Sequence, residues 1–236
     1  MNDRIGLWNF DNDGTLSNTA NYHILGWGQT IGLIGETRGK LIIEGRVMDS
    51  AKGRIGYSES KMAEELLQEF GLPASDLDST IQTFRRKLDG ILETQPIDVL
   101  PYAREFLRDL KERGHYTGIV TGNSSGYGRK VLDRAGLSPN LDVFAFADGL
   151  SSKPEIARRA ISLAEERGLR YDFVVALGDN KVDIEGGKAV GAFTVGVLTG
   201  VGKKEDFRKA GADLVIPDLT HYPRIYEALG VKYRII

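Results

Sequence analysis

From residue 116 onwards the chain alternates between two patterns. Short runs are apolar and β-branched almost without a break: YTGIVT (116–121), VFAFAD (143–148), FVVALGD (173–179), FTVGVLT (193–199) and ADLVIPD (212–218). Continuous rather than alternating apolar character predicts strands covered on both faces. Between them, apolar residues recur at helical spacing. AREFLRDLKERG places Phe106, Leu107 and Leu110 on one side and stops at Gly114. GRKVLDRAGL and KPEIARRAISLAEERGL have the same form. Strands alternating with helices predict β-α units and hence an α/β fold with a doubly wound parallel sheet.

A further strand is expected over residues 4–10, but residues 17–97 interrupt the alternation. That region is helical in pattern (SESKMAEELLQEFGL, DLDSTIQTFRRKLDGIL) and poor in strand runs. A crossover needs only about a dozen residues, so an inserted helical domain over 17–97 is the simpler account. The α/β core is then residues 1–16 and 98–236. EGRVMDSAKGRIGYS (44–58) reads as a polar loop between helices, with Arg46, Lys52 and Arg54 available to an anionic group.

Composition narrows the functions. The 236 residues are 41% hydrophobic and 27% charged, the balance of a globular protein with an ample core. There is no cysteine, which removes disulfides, thiolate metal sites and a cysteine nucleophile. A net charge of −2 gives no broad attraction to nucleic acid or anionic membrane. No apolar run reaches the length of a span, and MNDRIGLWNF lacks the regions of a signal peptide, so a cytoplasmic protein is expected.

In open α/β sheets, ligands bind at the carboxyl ends of strands, and four such places carry chemistry here. The first strand ends in Asp11-Asn12-Asp13-Gly14-Thr15, a turn signal with no returning strand after it. GIVT delivers Thr121-Gly122-Asn123 to a helix start, where N-caps and anion sites both occur. Ser152-Lys153-Pro154-Glu155 fits a capping box that explains the serine and the glutamate. It leaves Lys153 unexplained, since a cation in the first turn opposes the helix dipole. VVALGDNKVD delivers Asp179 and Asp183, the latter a candidate N-cap.

Four aspartates on one edge need compensation, since each close pair at ~4 Å costs about 4 kcal/mol at an effective dielectric near 20. Oxygen-only ligands favour Mg²⁺. A divalent cation, a lysine and a hydroxyl together suit a phosphoryl group. One aspartate of the first pair can then attack phosphorus while its neighbour handles protons.

DNDGTL, TGN, KP and GDNKVD, in this order, resemble the four motifs of the haloacid dehalogenase superfamily. The resemblance is to a phosphatase-like member similar to the phosphoglycolate phosphatases, with a Rossmann-like core and an α-helical cap over 17–97. It implies that Asp11 is the nucleophile and Asp13 the general acid/base. Mg²⁺ would be held by the Asp11 carboxylate, the Asp13 carbonyl and Asp179, with Asp183 acting directly or through water. Thr121, Gly122, Asn123 and Lys153 would hold the phosphoryl oxygens. True dehalogenases lack the second aspartate, which disfavours them here. Two positions depart from the family pattern: Asn12 is polar where an apolar residue is usual, and Ser17-Asn18-Thr19 replaces Val-Asp-Ser or similar.

The reading is a Mg²⁺-dependent phosphatase acting on a small phosphorylated metabolite through an aspartyl-phosphate, as monomer or homodimer. Arg54 is expected to read the part of the substrate away from the phosphate. The alternatives are a phosphomutase of the same fold and a non-catalytic phospho-ligand module. His23, His115 and His221 show no metal spacing and read as ordinary surface or core positions.

Overall fold

The computed structural model describes residues 4–230. Six parallel strands form one sheet: β1 (Gly6–Phe10), β2 (Tyr116–Val120), β3 (Val143–Ala145), β4 (Phe173–Gly178), β5 (Phe193–Val197) and β6 (Leu214–Ile216), in the order β3-β2-β1-β4-β5-β6. β1 pairs with β2 on one side and β4 on the other, in the register Trp8↔Thr117 and Trp8↔Val175. The strand order reverses beside β1, so its carboxyl end opens at a topological switch point. This is the doubly wound α/β sheet expected from the pattern.

Alternation along β1 sets the two faces. Trp8 and Phe10 join Phe106, Leu107 and Leu110 of α5 (Ala103–Glu112) and Ile225 and Tyr226 of α10 (Pro223–Leu229) in the largest core cluster. Trp8 and Phe10 each meet Phe106 edge to face, at 5.7 and 5.5 Å between ring centroids. Leu7 faces the other layer with Ile156, Ala160 and Ala164 of α7 (Lys153–Glu166). α6 (Ser125–Arg134), α8 (Lys181–Lys188) and α9 (Lys204–Lys209) complete the crossovers.

Between β1 and α5 run four helices: α1 (Ala20–Thr37), α2 (Glu44–Lys52), α3 (Glu59–Glu69) and α4 (Leu77–Thr94). They pack around their own cluster, which includes Ile31, Val47, Leu66, Phe84 and Leu88 and also takes in Tyr127 and Val131 of α6. The chain enters and leaves this layer by two segments lying side by side. Ser17 bridges Val99 antiparallel, Asn18 N donates to Asp98 O at 2.8 Å, and Leu100 N donates to Leu16 O at 2.9 Å.

Two local expectations are corrected. Residues 44–52 are helix α2 and not loop. Val47 and Ala51, one turn apart, are buried, α2 packs on α1, and Gly28 of α1 makes room for the Met48 side chain. A Cβ there would lie 2.8 Å from Met48 Cγ. Strand β3 stops at Ala145 instead of reaching 148. Beyond it the chain turns to α6: Ala147 N donates to Asn123 O at 2.9 Å, and Asp148 Oδ2 accepts from Ser125 N at 2.8 Å.

Candidate active site

The carboxyl ends of β1, β2 and β4 and the start of α7 meet at one cavity, closed from above by α1, the α2–α3 connection and α3. Asp11 follows β1 directly and is pinned by its backbone N–H, which donates to Leu177 O at 2.8 Å. Lys153, 7% exposed, enters from the first turn of α7. Its Nζ donates to Asp11 Oδ1 at 2.6 Å and Val120 O at 2.9 Å. It also forms an ion pair with Asp183 Oδ1 at 2.6 Å. The lysine that opposed the helix dipole is thus a buried counter-ion for two carboxylates. The Ser152–Glu155 capping box around it is present as expected.

Asp183 is not the N-cap of α8. Asn180 caps that helix, and Asp183 at the third position accepts from Asn180 N at 2.9 Å. The reciprocal box fixes Asp183 with Oδ1 turned to the Lys153 ammonium. Asn180 has a second role, since its Nδ2 donates to Ile55 O across to the helical layer at 2.9 Å. Asp179 ends β4, and its Oδ2 accepts from Val201 N at 2.9 Å. Asp11, Asp179 and Asp183 each offer an oxygen within 4.8 Å of the others. Gly14 lets the turn after β1 pass close to Asp179: its φ is +82°, and a Cβ would stand 2.7 Å from the Asp179 carboxyl.

Burial and mutual repulsion leave this cluster short of positive charge. Burial pushes Asp11 well above the usual carboxylate range, with Asp183, Asp179 and Asp13 adding to the rise and Lys153 opposing it. Burial and Asp183 push Asp179 up to about 7. Lys153 is held above its ordinary value although burial opposes its charge, because Asp11 and Asp183 face it. Three buried carboxylates within 4.8 Å of one another, facing one lysine and offering oxygen donors only, fit a hard divalent cation such as Mg²⁺.

Asp13 points into the same cavity with a different environment. Asn123 Nδ2 donates to its Oδ2 at 2.7 Å, and Thr19 Oγ1 donates to its Oδ1. Ser17 Oγ lies 3.2 Å from Thr19 Oγ1 and donates to Asn12 Oδ1 at 3.2 Å. The two departures from the family pattern are therefore partners: Asn12, fully buried, meets Ser17 in a polar chain that ends on Asp13. Thr121 is buried and lines the cavity with Gly122, its Oγ1 accepting from Asn123 N at 3.3 Å.

Of the residues singled out in the sequence, Asp11, Asp13, Thr121, Gly122, Asn123, Lys153, Asp179 and Asp183 all line one cavity. Arg54 does not. Its guanidinium is held 2.7 Å from Glu65 and 2.7 Å from Glu69, beside Ser50, so it faces the α2–α3 pair. Its neighbours Ile55, Gly56 and Tyr57 line the cavity instead. His23, read as an ordinary position, stands there too. Its Nε2 is 3.8 Å from Asp13 Oδ2, and its ring meets Tyr127 edge-on at 4.7 Å. Its place in the first turn of α1 was the available signal.

The comparisons agree with this geometry. The family model for haloacid dehalogenase-like hydrolases matches residues 9–191. The chain is 25% identical to the phosphoglycolate phosphatase of Aquifex aeolicus over 81% of this chain and 84% of that protein. It is 28% identical to the tyrosine-protein kinase PtkA of Mycobacterium tuberculosis over 94% of this chain and 72% of that one. Among solved structures, a β-phosphoglucomutase from Clostridium difficile superposes with a TM-score of 0.75 at 20% identity, covering 96% of this chain and 97% of the other. With a match spanning all four motifs, this chain belongs to the haloacid dehalogenase-like hydrolase family.

Proposed function

We propose that the chain is a Mg²⁺-dependent phosphatase that hydrolyses a small phosphomonoester through a phosphorylated Asp11. The observation that carries this reading is the placement of Asp13 across one cavity from an Asp11 whose charge is balanced by Lys153. Asp11, Asp179 and Asp183 would hold the ion, with the Asp13 carbonyl. When bound, Mg²⁺ supplies positive charge that offsets these carboxylates and the phosphoryl oxygens.

Two displacements follow from the residues. An oxygen of Asp11 attacks phosphorus, the bond from phosphorus to the leaving oxygen breaks, and Asp13 gives that oxygen its proton. In the second, Asp13 takes a proton from water, the water oxygen attacks phosphorus, and the bond to Asp11 breaks. Lys153, the Thr121 hydroxyl and the backbone N–H groups following β2 hold the phosphoryl oxygens. The helices α1–α4 act as a cap that excludes bulk water, hinged where Ser17 and Val99 pair.

A phosphomutase would also have to anchor a second phosphate. Among the described residues that line the cavity, Lys153 is the one lysine or arginine, and it is already engaged, which favours the phosphatase. The test is phosphate release from a panel of phosphorylated metabolites with Mg²⁺ and with chelator. Metal-dependent release lost in Asp11→Asn supports the reading. Release that requires a bisphosphate activator would replace it with the mutase, and binding without turnover would replace it with a binding module.

A further inference from the structure

The cavity beyond the phosphoryl site is walled by Ile24, Trp27, Ile55, Met62 and Phe84. Trp27 and Phe84 stack face to face at 3.7 Å with their planes 10° apart, each covering one face of the other. One charged group stands in this apolar part. Glu59, in the first turn of α3, is 9% exposed. Its Oε2 accepts from Arg85 Nε at 2.7 Å, while its Oε1 is buried without a hydrogen-bond partner. Nearby cations are committed elsewhere. Arg54 is bound by Glu65 and Glu69, Lys61 lies over the Tyr57 ring at 4.2 Å, and neither lines the cavity.

We propose that this distal pocket takes an uncharged or cationic leaving group with a hydrogen-bond donor that Glu59 accepts, and that it refuses a leaving group bearing its own carboxylate or phosphate. The inference rests on the phosphatase reading above. An anionic leaving group would enter an apolar pocket facing Glu59 and the catalytic aspartates, without a lysine or arginine free to meet it and with the one histidine of the lining, His23, set 3.8 Å from Asp13 Oδ2. A donor-bearing group instead satisfies an acceptor whose burial unpaired is costly. Sites built around such an unmet polar atom discriminate strongly against analogues that cannot pair with it. The cavity, about 80 Å³, holds roughly half a dozen water-sized groups, so the alcohol is small. Phosphorylated amino alcohols and short polyols are the class that fits. The likeness to a phosphoglycolate phosphatase points to a carboxylate-bearing leaving group, so the two expectations conflict openly.

The experiment measures kcat/KM with Mg²⁺ for O-phosphoethanolamine, glycerol 3-phosphate, 2-phosphoglycolate and para-nitrophenyl phosphate, in the parent enzyme, Glu59→Ala and Arg85→Gln. At least one of the first two is expected to exceed 2-phosphoglycolate by about tenfold or more. Glu59→Ala should close that gap, chiefly through KM. Arg85→Gln, which breaks the same ion pair but leaves the carboxylate in place, should preserve the ranking. Preference for 2-phosphoglycolate overturns the inference and leaves the phosphatase reading intact. So does an Arg85→Gln enzyme that loses the ranking as fully as Glu59→Ala. No release from any compound, para-nitrophenyl phosphate included, removes the phosphatase reading and this inference with it.

Discussion

At the scale of single residues, the site is a problem of charge solved by placement. Among the described residues Lys153 is the one buried cation against Asp11 and Asp183, so Lys153→Met should destabilise the metal-free protein by about 3–5 kcal/mol near neutral pH, as breaking a buried pair does. The loss should shrink at acid pH, where the abandoned carboxylates bind protons, and urea denaturation at two pH values checks it. Thr19→Val removes the hydroxyl donor from Asp13, and its expected result is a fall in kcat of about tenfold with KM little changed. Steady-state kinetics would show a KM effect instead if Thr19 only shaped the pocket. The main acidic residues and Lys153 were legible in the sequence because their spacing relative to strand ends implies a common edge. Thr19, Ser17 and Asn12 were not. Short polar side chains near a turn read as turn chemistry, and only the folded backbone shows them linked to Asp13.

At the scale of elements, strands were easy to read and the helical layer was not. Strands buried on both faces leave near-continuous apolar runs, and all six expected runs contain a strand. Helix α2 has two glycines at or beside its ends, Gly45 and Gly53, and a mostly polar surface, which is how a loop also reads. Its Val47 and Ala51 are buried and it packs on α1, and that is tertiary information. The layer depends on its own core, so Leu88→Ala should cost about 2–5 kcal/mol in urea-induced unfolding. Arg54 shows the limit of reading a loop by its charges. Helix α3 places Glu65 and Glu69 where they take the guanidinium.

At the scale of the whole molecule, metal, protons and folding are linked through the cluster. Asp179, pushed up to about 7 by burial and by Asp183, has a folded value above its ordinary 3.8. Its contribution to metal-free stability is therefore fully present below the unfolded value and is lost as pH rises through about 7. Asp11 shifts in the same direction. The Mg²⁺ proposed for this cluster would compete with those protons, so the rise in Tm on adding it should be larger near about pH 8 than near about pH 5.5. A metal effect independent of pH would mean that the ion binds elsewhere. The central claim is that phosphorus passes through Asp11, and one measurement addresses it directly. The Asp13→Asn variant, which lacks the proton acceptor for the attacking water, is mixed with Mg²⁺ and the best substrate, quenched in acid, and mapped by mass spectrometry. The account predicts the mass of one phosphoryl group on the peptide containing Asp11, absent when Asp11 is also Asn. An adduct on another residue, or turnover that survives Asp11→Asn, would contradict it.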